Sequence, residues 1–256
     1  MEAPPTVVLP APSAGVLVRI GQFFFKFRDF LSPVVFVALV LATPPHWLKG
    51  DQRYDIALDA VGIALILAGQ ILRGAVIGFA YIRRGGKNKQ VYADKLVTGG
   101  FFAHSRNPLY VGNYLTFMGL FVVHNSLWCY VIGIAFYTFM YWTIVLAEED
   151  FLRREFGSEY IEYCQRVNRF LPSFKGLSAS LEDMSYDWQR LIRKEYGTTF
   201  SCLSCLLGLL IWQRYRNAGF AESKAVIAVV GGVWLLSLIG YLLARYWKKQ
   251  GWLGRG

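Results

Sequence analysis

Acidic residues, cysteines and histidines are scarce in this sequence. Of 256 residues only 17 are Asp or Glu, against 27 Lys or Arg, with four Cys and three His. Cys202 and Cys205 form a C-x-x-C, but inside an apolar stretch, Phe200 to Trp212, with no second Cys or His pair near it. That setting fits small buried side chains better than metal or redox chemistry. The formal charge of +10 calls for an anionic partner. No separate basic domain exists, and the basic residues flank apolar runs, which points away from nucleic acid and toward an anionic membrane. No repeat of 20–50 residues is visible, and no low-complexity tract beyond the N-terminal arm. Met1 to Gly15 is Pro- and Ala-rich without a basic leader, so no cleaved signal peptide is expected there.

What the chain has instead is apolar length. Hydrophobic residues make up 55% and aromatics 16%, gathered in runs long enough to cross a bilayer and separated by short charged loops. The expected fold is all-α, a polytopic membrane bundle of about six transmembrane helices with interfacial amphipathic helices. Three parts are expected: an N-terminal arm and interfacial helix over 1–29, a core with four spans over 30–175, and an amphipathic helix plus a transmembrane hairpin over 176–256. Gly15 to Asp29, with four Phe among Arg19, Lys26 and Arg28, reads as a helix lying in the interface. Phe30 to Leu48 reads as the first span, ended by Pro44-Pro45 and an interfacial His46-Trp47. Asp55 to Ile82 is a longer second span carrying Gln70 and Arg73. Arg73 either snorkels to the interface or faces a wet interior, where it is a candidate substrate residue.

Pro108 to His124 and Leu127 to Ala147 form a tight hairpin of the third and fourth spans. Past Glu148-Glu149-Asp150 the apolar spacing of Phe151, Leu152, Phe156, Tyr160 and Tyr163 predicts that the helix continues into water, bends near Gly157 and stops before Pro172. Leu177 to Tyr196 reads as one amphipathic segment, with Ser180 and Asp183 as a capping box. Gly197 to Gln213 and Ser223 to Trp247 complete the spans. Of the 27 Lys and Arg, 21 fall on one side of this arrangement and five on the other, which puts both termini and both large loops in the cytoplasm.

The stretch from Leu96 to Asn113 organises the rest. Gly99 and Gly100 allow a tight bend, and Pro108 sits where a helix starts, so the loop delivers basic residues to a helix N-terminus able to hold an anion. The hairpin brings that N-terminus beside the end of the fourth span. Arg106, Asn107, Tyr110, Glu148 and Glu149 should therefore converge at headgroup depth, either to bind a zwitterionic cofactor or as a structural ion pair.

Leu96-Val-Thr-Gly-Gly-Phe-Phe, Arg106-Asn-Pro-Leu-Tyr, Glu148-Glu149, Phe156-Gly-x-x-Tyr-x-x-Tyr163 and Val167-x-Arg-Phe-x-Pro172, in this order, resemble the isoprenylcysteine carboxyl methyltransferase and phospholipid methyltransferase superfamily of integral membrane enzymes. The resemblance implies S-adenosylmethionine as cofactor, held at the cytoplasmic membrane edge by Asp94, Lys95, Leu96, Val97, Phe102, Arg106, Asn107, Pro108, Tyr110, Glu148 and Glu149. It also implies a membrane lipid or lipidated small molecule as methyl acceptor. A carboxylate acceptor needs no base, whereas an ammonium must first lose a proton, for which His104 and Tyr110 are the candidate catalytic residues. Two departures are visible: Asn107 stands where the family often has His, and Ile144 stands where the eukaryotic prenylcysteine enzymes carry an Arg one turn before the acidic residue. A nicotinamide-dependent membrane sterol-type reductase and a non-enzymatic membrane scaffold remain the alternatives at this point.

Overall fold

The computed structural model describes residues 15–45, 52–79, 84–87, 90–93, 95–182 and 184–254. Six α-helices follow in order: α1 (Val16–Ala42), α2 (Gln52–Phe79), α3 (Pro108–His124), α4 (Ile134–Arg166), α5 (Leu177–Leu181) and α6 (Trp188–Lys249). A small antiparallel hairpin, β1 (Arg84–Lys87) and β2 (Gln90–Ala93), decorates the basic loop after α2. The architecture is the expected all-α membrane bundle. Among the described residues, α2, α4 with the π turn that precedes it, and α6 are long and apolar enough to cross a bilayer. At 17 residues α3 lies at the lower limit of a spanning helix. The interfacial His46 and the capping residue Asp183 lie outside the described residues.

Glycine sets the tightest contact in the bundle. A Cβ on Gly69 would come within 2.5 Å of the Gly112 carbonyl oxygen, and one on Gly119 within 2.4 Å of that of Gly62. The two pairs repeat at seven residues on both helices, so α2 and α3 cross antiparallel with backbones touching, as small residues permit where lipid supplies no hydrophobic drive. The opposite side of α3 meets α4 through large side chains: the Phe117 and Tyr137 rings stack at 4.1 Å and Tyr114 hydrogen-bonds Thr138 at 2.8 Å. Asn125, in the left-handed region with φ 51°, turns the chain between them.

Three expectations need correction. The interfacial helix and the first span are one continuous helix, α1, because nothing between Asp29 and Phe30 interrupts the hydrogen-bond ladder and Pro33 is accommodated within it. That helix lies against α4, and Gly21 sits so close to Thr143 that no Cβ fits between them. The segment Leu177 to Tyr196 is not one helix. α5 ends at Leu181, the Ser180 hydroxyl is drawn to His104 at 2.9 Å, and the N-cap that starts the next helix is Asp187, accepting from the Arg190 N–H at 2.8 Å. The last two spans start earlier and meet closer together than expected, at a single residue. A straight helix of 62 residues would run about 93 Å, three times the hydrocarbon thickness. It breaks instead at Gly219, whose φ of 74° and ψ of 174° only glycine adopts readily. The arms 188–218 and 220–249 then pack antiparallel: Phe200 stacks on Tyr241 at 4.7 Å and the Trp234 indole donates to Ser204 at 2.9 Å.

The hairpin is pinned to the rest of the bundle at both ends of α2. The Asp187 N–H donates to the Gly78 carbonyl at 2.9 Å. Arg73 forms a two-pronged ion pair with Glu195, Nε to Oε2 at 2.9 Å and Nη2 to Oε1 at 2.7 Å, and its remaining Nη1 donates to Asn113 on α3. At the far end Gln213 and Asn125 both donate to Asp55.

Candidate functional site

The candidate site is assembled by two loop segments that lie side by side. Residues 104–107, between a 3-10 turn (Gly100–Ala103) and α3, run against 168–173, the chain after α4. The Ser173 N–H donates to the His104 carbonyl at 3.0 Å, and the Arg106 N–H to that of Asn168 at 2.9 Å. The Ser105 hydroxyl donates to the Phe170 carbonyl at 3.1 Å and the Asn107 amide to that of Arg169 at 3.1 Å. The Tyr163 hydroxyl, on the continuation of α4, donates to the Phe102 carbonyl at 2.6 Å. This continuation, broken at Gly157, matches the helix expected past the acidic triplet.

Two charged groupings meet where this double loop reaches the middle of α4, at Glu148 and Glu149. In the first, Glu149 is the hub. Arg169 grips it with both prongs, Nε to Oε1 at 2.9 Å and Nη2 to Oε2 at 2.7 Å, and Arg106 adds Nη2 to Oε1 at 3.3 Å. The Glu149 side chain is only 3% exposed, so a bidentate partner and a second cation are what make its ionised form tolerable there. The Glu149 hydrogen bond holds the Arg169 guanidinium above its ordinary pKa, outweighing the opposing effect of burial. The second grouping is a chain: Arg28 Nη1 donates to the Tyr110 hydroxyl at 2.8 Å, and that hydroxyl donates to Glu148 Oε1 at 2.7 Å. Three guanidinium groups and two carboxylates thus surround the first turns of α3.

Most sequence-predicted residues meet here. Arg106, Asn107, Pro108, Tyr110, Glu148 and Glu149 are brought together, with Pro108 buried as the first residue of α3. Phe102 is buried and packs on Val76 beside Val97, while Leu96 packs against Leu152, Tyr160 and Tyr163. Lys95 is exposed and Asp94 lies outside the described residues. Gly100 takes φ 59°, giving the tight bend, while a Cβ on Gly99 would meet only open space. Arg73 is not part of the cluster, since its donors turn to Glu195 and Asn113. The His104 ring is buried, Nδ1 donating to the Ser173 carbonyl at 2.5 Å and Nε2 facing Ser180. Ile144 is fully buried in the core.

Two residues of this charged cluster escaped the sequence reading. Arg169 stands inside the Val167-x-Arg-Phe-x-Pro172 motif, and its basic character just before Pro172 was the available signal. Arg28 had none, because its role depends on α1 running past the middle of α4.

Chemically, the arrangement offers both signs of charge at close quarters. Arg106 Nε is a buried donor without a hydrogen-bond partner among the described residues, and the α3 N-terminus adds a favourable dipole for an anion, its Tyr110 and Val111 N–H groups being held by the Asn107 carbonyl. A small cavity of about 20 Å³, walled by His104, Ser105, Pro108 and Pro172, separates the two loop segments from α2.

Residues 58–159 match the phospholipid methyltransferase family model, a stretch that runs from within α2 through α3 and into α4 as far as Glu159. The chain is 29% identical over 173 residues to the cobalt-zinc-cadmium resistance protein CzcN of Cupriavidus metallidurans, covering 64% of this chain and 73% of that protein. It is also similar to protein-S-isoprenylcysteine O-methyltransferases. The Xenopus laevis protein is 29% identical over 133 residues, 50% of this chain and 45% of that one, and the human protein 31% identical over 133 residues, 48% and 44%. The match therefore spans less than half the length of these vertebrate proteins. No solved structure matches.

Proposed function

We propose that this chain, which is similar to phospholipid methyltransferases over residues 58–159 and to protein-S-isoprenylcysteine O-methyltransferases, is an integral membrane methyltransferase that uses S-adenosylmethionine and acts on a lipid or lipid-like amphiphile. The observation that carries this reading is the convergence of the Glu149 hub and the Arg28–Tyr110–Glu148 chain on the first turns of α3. The donor set suits a zwitterionic cofactor. Arg106 Nε, at the positive end of the α3 dipole, is acceptor-seeking and fits its carboxylate, while Glu148 fits its ammonium or ribose hydroxyls. Leu96, Val97 and Phe102 supply apolar contact.

When bound, S-adenosylmethionine supplies an electrophilic methyl group on a sulfonium sulfur, transferred by direct displacement. The protein's part is alignment and exclusion of water. Tyr110 fixes the direction of Glu148, and Arg28 orients the phenol in turn. Arg169 and Arg106 hold Glu149, so the loop carrying Arg106 is tied to the middle of α4. The 20 Å³ space beside His104 admits little more than water, so entry of a nucleoside-sized molecule calls for segments 104–107 and 168–173 to part.

His104 Nδ1 and the Tyr110 proton are both committed to acceptors within the protein. His104 Nε2, the nitrogen left to act as a base, is engaged with the Ser180 hydroxyl at 2.9 Å, and this favours an acceptor that reacts already deprotonated, such as a carboxylate. The excess of Lys and Arg on one side supports a cytoplasmic position for this cleft and both termini, with six membrane crossings: α1, α2, α3, α4 and the two arms of α6. Among the described residues no group of three or more His, Cys, Asp or Glu is gathered as a metal site requires.

Glu148→Gln tests the assignment. It keeps shape and hydrogen-bonding capacity but removes the charge that pairs with a cationic cofactor group. Losing one charge-assisted hydrogen bond costs about 1.5–3 kcal/mol, so affinity for S-adenosylmethionine should fall about ten- to 150-fold while the melting temperature holds. Unchanged affinity with lowered stability would make Glu148 a strut and put the cofactor elsewhere.

A further inference from the structure

A second polar cavity lies at the other end of the bundle, well away from the Glu149 hub. It is about 170 Å³ in volume and opens between α2 and the elbow of the α6 hairpin, taking residues from both arms. Asp59 on its wall is 14 residues from Arg73, so it sits about 21 Å along α2 from the level of the Arg73–Glu195 pair. The hairpin half of this cavity, Gln213, Arg214, Leu210 and Val226, lies outside the segment that matches the methyltransferase family.

The cavity holds unmatched charge. Asp55, one turn before Asp59, is satisfied, since Asn125 and Gln213 both donate to it. Asp59 Oδ1 and Arg214 Nε are different: both atoms are inaccessible to solvent and, among the described residues, neither has a hydrogen-bond partner, Gln213 serving the Asp59 carboxyl only at its other side. No ion pair joins the two side chains among the described residues. A buried charged acceptor and a buried charged donor without partners are both destabilising, and native proteins rarely leave such atoms unmet. Asp59 and Arg214 face one space large enough for several atoms of a guest, with Leu210 and Val226 as aliphatic wall.

The partner these groups require carries an N–H donor with positive charge for Asp59 and an anionic acceptor for Arg214. It also has an apolar portion to lie along the hairpin. We propose that this cavity binds the primary-ammonium phosphodiester headgroup of a membrane lipid, ammonium toward Asp59 and phosphate toward Arg214. A quaternary ammonium has no N–H to give Asp59, so the site distinguishes a primary amine from its trimethylated counterpart. An anionic headgroup without the amine leaves Asp59 unmet. The site stands apart from the methyl-transfer reading and holds whether or not that reading does.

The test uses the full-length protein, delipidated in detergent and examined by native mass spectrometry with added phosphatidylethanolamine, phosphatidylcholine or phosphatidylglycerol. The parent should retain phosphatidylethanolamine at least tenfold more tightly than the other two. Asp59→Asn should remove the preference over phosphatidylcholine, and Arg214→Gln should weaken retention of both zwitterionic lipids. Val226→Phe, which fills the space and leaves both charges, should remove the preference too, and it serves as the readout if the charge variants fold poorly. Glu148→Gln should leave the preference unchanged, which separates this site from the cofactor cleft. Competition by free phosphoethanolamine at equal concentration would assign the headgroup chemistry to a soluble ligand, and its failure to compete to the lipid. A parent that shows no preference among the three lipids, or a preference indifferent to Asp59→Asn and Val226→Phe alike, overturns the proposal and leaves the cavity to water.

Discussion

The ion pair between Arg73 and Glu195 offers the sharpest test of how the C-terminal hairpin is held. Both side chains are nearly enclosed, 12% and 8% exposed, and the pairing is two-pronged, with Asn113 taking the last guanidinium nitrogen. Breaking a buried pair by removing one partner leaves an uncompensated charge and costs about 3–5 kcal/mol, whereas replacing both by apolar residues is often neutral. A neutral hydrogen bond between membrane helices is worth about 0.6 kcal/mol on average and at most about 1.7. Glu195→Met should therefore lower stability by about 3–5 kcal/mol, while Arg73→Met together with Glu195→Met should recover most of that loss. Chemical denaturation of the detergent-solubilised protein, followed by far-UV circular dichroism, measures the difference. A Glu195→Met cost under about 1.5 kcal/mol would mean that Arg73 reaches solvent by snorkelling. A double variant as unstable as the single would show that the hairpin depends on these two side chains for packing and not on their charges.

Two further outcomes follow from packing and topology. Gly69→Ala forces a methyl into a gap where the Gly112 carbonyl lies 2.5 Å away, so it should destabilise the bundle by about 1–3 kcal/mol. Gly231→Ala, in open space on the outer arm of the hairpin, should change thermal stability by less than about 1 kcal/mol and serves as the control. A cysteine placed at Lys87 should react with a membrane-impermeant maleimide only from the cytoplasmic side, and labelling from the opposite face would overturn the six-span arrangement.

The parts of this protein that sequence reveals are those written in local pattern. Apolar run lengths matched α3 to the residue and α2 to within three residues at each end, and they located the fourth span, which a π turn and α4 form together. The Pro108 start signal placed the first turn of α3, and the amphipathic spacing past Glu148 showed that α4 outlasts the membrane. The site followed because a short turn between α3 and α4 leaves Tyr110 and Glu148 no choice but to meet, and their hydroxyl–carboxylate contact at 2.7 Å is that constraint realised. What stayed hidden depends on contacts between distant segments. Arg28 joins the site only because α1 is continuous and lies along α4, a pairing set by Gly21 against Thr143 rather than by any motif. Arg73, an intramembrane charge that sequence could equally assign to substrate, finds its partner 122 residues away on a helix outside the recognisable family segment. Ser180 was legible as a cap and is instead drawn to His104, a tertiary bond overriding a local preference.

Calorimetric titration of the detergent-solubilised protein with S-adenosylmethionine, and in parallel with NADPH, bears most directly on the proposed activity. Saturable binding of S-adenosylmethionine, accompanied by a rise in melting temperature that grows with ligand concentration, is the predicted result. Neither heat nor a thermal shift should appear with NADPH. Folded protein that gives no heat and no thermal shift at millimolar S-adenosylmethionine, or that binds NADPH instead, would contradict the account.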